Sequence, residues 1–102
     1  MRTKNKSIYL NYVKDIETKV TDIYAKLKSV FIINTQKQSI EKQRDDIFAK
    51  TSLLTLRANQ DALIPNAEWI AFRKEIDDLY KNFCDTVNQS IEYSKRATVH
   101  NR

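Results

Sequence analysis

The chain has 102 residues, of which 41% are hydrophobic and 30% are charged, and it carries a formal net charge of +5. This length suffices for one domain with its own core and is too short for two domains of ordinary size. The chain has no glycine and a single proline, Pro65, so it lacks the residues that most tight turns of strand-rich folds require. We therefore expect one all-α domain covering residues 1–102.

Cysteine content and hydropathy limit the cellular compartments in which we expect this protein. Cys84 is the only cysteine, so no internal disulfide can form and nothing indicates an oxidising compartment. The longest apolar run, residues 30–33, is far shorter than the 18 or so residues typical of a membrane span. These features predict a cytoplasmic protein that does not enter a membrane.

The first predicted helix is defined by apolar side chains that recur at steps of four and three, which is the spacing of one helix face. These residues are Tyr9, Val13, Ile16, Val20, Ile23, Leu27 and Val30. Adding Leu10, Tyr24 and Phe31 widens the face to three heptad positions. A face of this width is typical of a helix packed against two neighbours in a bundle rather than of a two-stranded coiled coil.

Interruptions of this pattern set the predicted helix boundaries. Polar residues replace the stripe after residues 30–33, which predicts a bend with Asn34 ending the first helix. Pro65 disfavours helical geometry at the residue before it and so ends the second helix. Ser7, or alternatively Asn5, and Asn66 are the expected N-caps of the first and third helices. The predicted helices span about 7–34, 36–62 and 66–97.

Three helices of similar length favour an antiparallel, up-down-up bundle with short flexible basic ends at 1–6 and 98–102. The alternative is a single unbroken helix from residue 8 to about residue 60. The core face of the second helix is predicted to contain Ile40, Ile47, Phe48, Thr51, Leu54 and Ala58. That of the third is predicted to contain Trp69, Phe72, Ile76, Leu79, Phe83, Val87 and Ile91.

The later half of the second helix carries a second apolar stripe opposite the first. Its residues are Ala49, Leu53, Leu56 and Leu63, with Gln60 among them. A helix with two apolar faces must be covered on both, so this stripe is the candidate interface with another chain. The alternative is that the third helix, or the chain near Ile64 and Pro65, folds over it. Trp69 is either a plug at the end of the bundle or an additional anchor for a partner.

Residues that carry chemistry are scarce. Without glycine there is no phosphate-binding loop and no nucleophile elbow. The single histidine, His100, has no second histidine with which to build a metal site. The acidic pairs 45–46 and 77–78 consist of adjacent residues, which point about 100° apart on a helix and do not converge on one pocket. We therefore expect no catalytic residue, metal or cofactor, and no enzymatic activity.

Two functional hypotheses follow. The first is a protein-protein interaction module, acting as an adaptor, assembly factor or inhibitor, that uses the apolar stripe and forms a homo-oligomer, in the simplest case a dimer. The second is a basic helical nucleic-acid-binding protein, which would contact phosphates electrostatically. Its candidate residues are Lys14, Lys19, Lys26, Lys28, Lys95 and Arg96. No helix-turn-helix or zinc-binding pattern accompanies them.

Overall fold

The computed structural model describes residues 2–30, 32–60 and 64–100, and the side chains of 7–30, 32–60 and 64–96. Its helices are α1 (Arg2–Lys26), α2 (Asn34–Gln60) and α3 (Asn66–His100), and a 3₁₀ turn (Leu27–Ser29) follows α1. No strand occurs in these ranges. The prediction of an all-α, three-helix fold is confirmed. None of the helices, over the residues described, is long and apolar enough to cross a membrane.

Ion pairs along the α2–α3 boundary show that these two helices are antiparallel. Arg57 Nε lies 2.8 Å from Glu68 Oε2, and Lys50 Nζ lies 2.6 Å from Glu75 Oε2. Moving seven residues back along α2 therefore moves seven residues forward along α3. The two pairs are spaced by about two helical turns on each side, so they fix one register between the helices.

Polar contacts between α1 and α2 run in the same antiparallel sense. The Tyr24 hydroxyl donates to Glu41 Oε2 at 2.5 Å, and the Thr51 hydroxyl donates to Glu17 Oε2 at 2.7 Å. Thr51 is fully buried, and its hydroxyl also lies 3.1 Å from the Phe48 carbonyl of its own helix, so it is satisfied within the core. The three helices therefore run up, down and up.

The core lies along the axis of the bundle and contains side chains from all three helices and from Ile64, just before α3. The largest fully buried apolar side chains are Phe83, Ile40, Ile47, Leu54, Ile76 and Val20. Each of them belongs to a face that the spacing of apolar residues predicts. Among the described members of the predicted α1 face, Val30 does not join the core, because it is exposed, and Phe31 lies outside the described residues.

The predicted end of the first helix is wrong. The α-helix stops at Lys26, a 3₁₀ turn follows, and Val30 has extended backbone angles (φ −117°, ψ 133°). The Ser29 hydroxyl donates to the Lys26 carbonyl at 3.0 Å, and the Val30 amide donates to the Leu27 carbonyl at 3.1 Å. These bonds satisfy carbonyl groups at the helix end without a left-handed residue. The β-branched residues that follow favour the extended chain over continued helix.

The other boundaries shift by smaller amounts. Asn34 begins α2 instead of ending α1, and Ile33 supplies the carbonyl that accepts the Lys37 amide. Val30, Ile32 and Ile33 are not helical, which excludes one unbroken helix from 8 to 60. α1 begins at Arg2, so neither Asn5 nor Ser7 is its N-cap. Pro65, one residue before the predicted cap, supplies the carbonyl that accepts the Trp69 amide.

The first and third helices both extend closer to the ends of the chain than predicted. α1 includes residues 2–6, and α3 continues to His100 instead of ending near residue 97. Neither segment contains a proline or glycine that would break a helix. Flexibility of these basic ends stays a prediction, and the second helix beyond Gln60, predicted to reach residue 62, lies outside the described residues.

Phe83 tests the assignment of the core. Its side chain is 0% exposed, and truncating a buried phenylalanine removes apolar contacts and leaves a cavity. We expect Phe83→Ala to lower the free energy of unfolding by about 3 to 5 kcal/mol, measured by urea denaturation. The matched control is Ile70→Ala, because Ile70 is 56% exposed on the same helix. A loss for Phe83→Ala no larger than that of the control would contradict this core.

Candidate protein interface

The α2 outer face, defined here as Ala49, Leu53, Leu56 and Gln60, lies opposite the core face of the same helix. The steps of four, three and four between these residues place them on one side of α2. Leu56 lies two residues beyond the buried Leu54, so its side chain points about 200° around the helix from that of Leu54. The outer face therefore cannot join the core without rotating α2 by half a turn.

The two leucines of this face are solvent-exposed. Leu53 is 52% exposed and Leu56 is 54% exposed, and Ala49 and Gln60 are also exposed. No other described part of the chain covers them. Ile64 does not fold over them, because it is buried and its carbonyl accepts the Tyr9 hydroxyl at 3.4 Å. Leu63, the remaining residue of the predicted stripe, lies outside the described residues.

The charged side chains that the structure describes around the outer face are paired. Toward the start of α2, Lys42 pairs with Asp46 at 3.2 Å and Arg44 pairs with Asp45 at 3.0 Å. Along its border with α3, the Arg57 guanidinium binds both carboxylate oxygens of Glu68, at 2.8 and 3.2 Å. The electrostatic attraction that this region offers a partner is therefore small. Its apolar atoms are what distinguish it from the surrounding surface.

Trp69, the other candidate interface residue, lies away from the α2 outer face. Its ring packs against two tyrosines of α1, with centroid distances of 4.8 Å to Tyr9 and 5.4 Å to Tyr12. The first pair is tilted and the second is edge to face, which are favourable arrangements for aromatic rings. Trp69 thus faces α1 and is not part of the α2 outer face. These contacts support its interpretation as a plug at this end of the bundle, while a role as a partner anchor stays a prediction.

A hydrogen bond holds Tyr12 beside this tryptophan. The Tyr12 hydroxyl lies within hydrogen-bond distance of the Arg73 carbonyl (3.3 Å) and of the Asp77 carboxylate on α3. Burial, and secondly the bond to Asp77, raise the pKa of Tyr12 well above its ordinary value. The phenol therefore stays protonated at neutral pH and remains a donor to α3. This bond, together with the ring contacts, ties α1 to the parallel helix α3.

The sequence pattern did not single out the exposed isoleucines Ile8 and Ile70. Ile8 is 47% exposed one turn before Tyr12, and Ile70 is exposed next to Trp69. Neither belongs to a regular apolar stripe, so no periodic signal could have identified them. Ile70, which lies on α3, serves as the control for the α2 outer face.

The six candidate nucleic-acid residues do not form one stripe. Lys14 lines a shallow groove that also contains Glu17 and Asp22, and it points about 120° around α1 from Lys26. Lys19 pairs with Asp15 at 3.0 Å. The nearby carboxylates reduce the attraction that these two lysines would exert on a phosphate.

The remaining four candidates lie toward the other end of the molecule. Lys26 ends α1, Lys28 belongs to the 3₁₀ turn, and Lys95 and Arg96 are in the last part of α3. The parallel arrangement of α1 and α3 brings these segments to the same end of the bundle, where the chain turns from α1 into α2. No ion pair within 4 Å involves any of the four among the described side chains.

Neither a metal site among the described residues nor a similar protein indicates a function for this chain. Over the described residues, no group of three or more histidine, cysteine, aspartate or glutamate side chains is arranged to hold a metal ion. Neither a family model, nor a curated protein, nor a solved structure matches this chain.

Trp69 provides a test of its structural role. Replacing it by alanine removes the ring contacts with both tyrosines, and we expect a loss of roughly 2 to 4 kcal/mol in the free energy of unfolding. Trp69→Phe keeps an aromatic ring at this position and should lose clearly less. Thermal and urea unfolding followed by circular dichroism measure both. If Trp69→Ala unfolds like the wild-type protein, the tryptophan does not stabilise the bundle and the anchor interpretation gains support.

Proposed function

We propose that this protein is a non-enzymatic interaction module that binds protein through the α2 outer face, and that its first partner is a second copy of itself. The observation that carries this proposal is the exposure of Leu53 and Leu56, each slightly more than half, on one face of a helix whose opposite face is fully buried. Apolar surface that is grouped on one helix face is typical of helix-mediated association.

The geometry of the face suits a twofold symmetric contact. In an antiparallel pairing of two α2 helices, Leu53 of one copy would lie opposite Leu56 of the partner subunit, and Ala49 opposite Gln60. The same patch then serves on both copies, as in an isologous interface. Alanine at one end allows the helices to approach closely, and the glutamine amide at the other can bond to backbone or solvent at the rim.

The small size of the patch limits the affinity. Covering the exposed halves of four leucines in such a dimer would contribute about 4 kcal/mol. This is at the lower end of the free energy that association itself costs, which is about 4 to 15 kcal/mol. The proposed self-association is therefore weak and concentration-dependent. A tighter complex would require a partner protein that also covers residues beside the outer face, as expected for an adaptor, assembly factor or inhibitor.

The alternative, a nucleic-acid-binding protein, receives less support because Lys14 and Lys19 lie beside carboxylates. We also propose a cytoplasmic location, which the single free thiol, Cys84, favours.

The proposal is tested by light scattering coupled to size-exclusion chromatography over a wide concentration range. We expect the average molar mass of the wild-type protein to rise with concentration. Leu53→Asp and Leu56→Asp should each abolish this rise, because they would bring a carboxylate into the apolar contact. Ile70→Asp is the matched control, since Ile70 is equally exposed at 56% but lies on α3. Circular dichroism checks that all variants are folded.

Two results would contradict the proposal. A wild-type protein that stays monomeric up to millimolar concentration would remove the self-association. A rise in molar mass that Ile70→Asp abolishes, and that the two leucine variants leave unchanged, would place the contact on α3 instead.

A further inference from the structure

A cleft of about 430 Å³ lies where the chain turns from α1 into α2, far from the middle of the α2 outer face. Its walls combine the end of α1, the 3₁₀ turn, the extended segment after it and the beginning of α2. The apolar and aromatic lining residues are Tyr24, Leu27, Val30, Ile32 and Ile40. Clefts of this size and character are typical of small-molecule sites.

Two lysines, Lys28 and Lys37, and Ser29 complete the lining of the cleft. No carboxylate of the described residues lies within ion-pair distance of either ammonium group. The first turn of α2, which includes Lys37, contains no acidic residue. The positive end of this helix is therefore not compensated by the chain itself. The polar part of the cleft is thus cationic, and the charge that complements it is negative.

Glu41, the acidic residue that contacts Tyr24 of this cleft, already accepts a hydrogen bond. Glu41 accepts the Tyr24 hydroxyl at 2.5 Å, and the Arg44 guanidinium lies 4.5 Å from the centre of the Tyr24 ring. The bond to Glu41, and then partial burial, raise the pKa of Tyr24, so the hydroxyl keeps its proton at neutral pH. Tyr24 is therefore fixed from two sides. Because Arg44 covers one face of the ring, this tyrosine is poorly placed to stack on a nucleic-acid base.

From this arrangement we infer that the cleft binds a medium-chain fatty acid as its carboxylate. The carboxylate is held between the ammonium groups of Lys28 and Lys37, and the alkyl chain lies along Leu27, Ile32 and Ile40. A single negative charge joined to an apolar tail satisfies both parts of the lining. A free inorganic anion would leave the apolar walls uncovered, and an uncharged lipid would leave the two lysines unpaired. The inference is independent of the α2 outer face.

Sodium decanoate is the probe, and it is titrated below its micelle concentration into protein with labelled isoleucine, leucine and valine methyl groups. We expect methyl shifts at Leu27, Ile32 and Ile40, with saturation. Decanol shares the tail, acetate shares the head group, and decyltrimethylammonium reverses the charge. Each of these should bind at least about tenfold more weakly, because each lacks one of the two complementary parts.

The variant Lys28→Gln/Lys37→Gln tests the head-group contacts. It should raise the dissociation constant for decanoate about tenfold or more, since two charge-assisted contacts are lost. The control Lys74→Gln/Lys81→Gln removes two lysines from α3 and should bind like the wild-type protein. Because Lys28 and Lys37 have no ion pair to lose, their replacement should leave the unfolding temperature unchanged.

Several outcomes would overturn the inference. Absence of saturable decanoate binding would do so, as would equal binding of decanoate and decyltrimethylammonium. Methyl shifts confined to Leu53 and Leu56 would show that decanoate merely coats the exposed leucines. Displacement of decanoate by a short single-stranded oligonucleotide, with loss of oligonucleotide binding in Lys28→Gln/Lys37→Gln, would assign these lysines to nucleic acid instead.

Discussion

The packing of the three helices depends on the burial of one face of α2 between α1 and α3. Ile40, Ile47, Leu54 and Ala58 are almost completely excluded from solvent, and contacts from both α1 and α3 converge on this face. Ion pairs with α3 and hydrogen bonds with α1 then fix how far each neighbour is shifted along α2. Because this face of α2 is buried in the core, the opposite face of the same helix must point away from the core, whichever residues it carries.

The regular part of this structure follows from the sequence, since apolar spacing identified the core faces and the α2 outer face. The turn between α1 and α2 was not predictable in the same way. Apolar spacing extended the first helix through Val30, but backbone hydrogen bonding ends it at Lys26. Periodicity reports which side of a helix is apolar and says little about where β-branched residues leave the helix. The position of Trp69 against α1 likewise depends on tertiary packing.

The cleft is a consequence of this early helix end. If α1 had continued to residue 34, Val30 would lie on the same helix face as Leu27, which packs against the core. Instead, residues 27–30 and Ile32 leave the α-helical path and form one wall of the cleft. Seven of the other twelve cations whose side chains are described pair with carboxylates, whereas the lysines of the cleft do not. The two proposed sites thus differ in chemistry, one being apolar and the other cationic and apolar.

The central claim is that the α2 outer face is covered by another protein chain, and the accessibility of its methyl groups to a soluble paramagnetic probe tests this directly. With methyl-labelled protein, relaxation enhancement at Leu53 and Leu56 should fall as protein concentration rises. That at Ile70 should stay constant, and the buried Leu54 should show little enhancement throughout. If Leu53 and Leu56 remain as accessible as Ile70 at every concentration, the outer face is not a site of self-association and the account is wrong on this point.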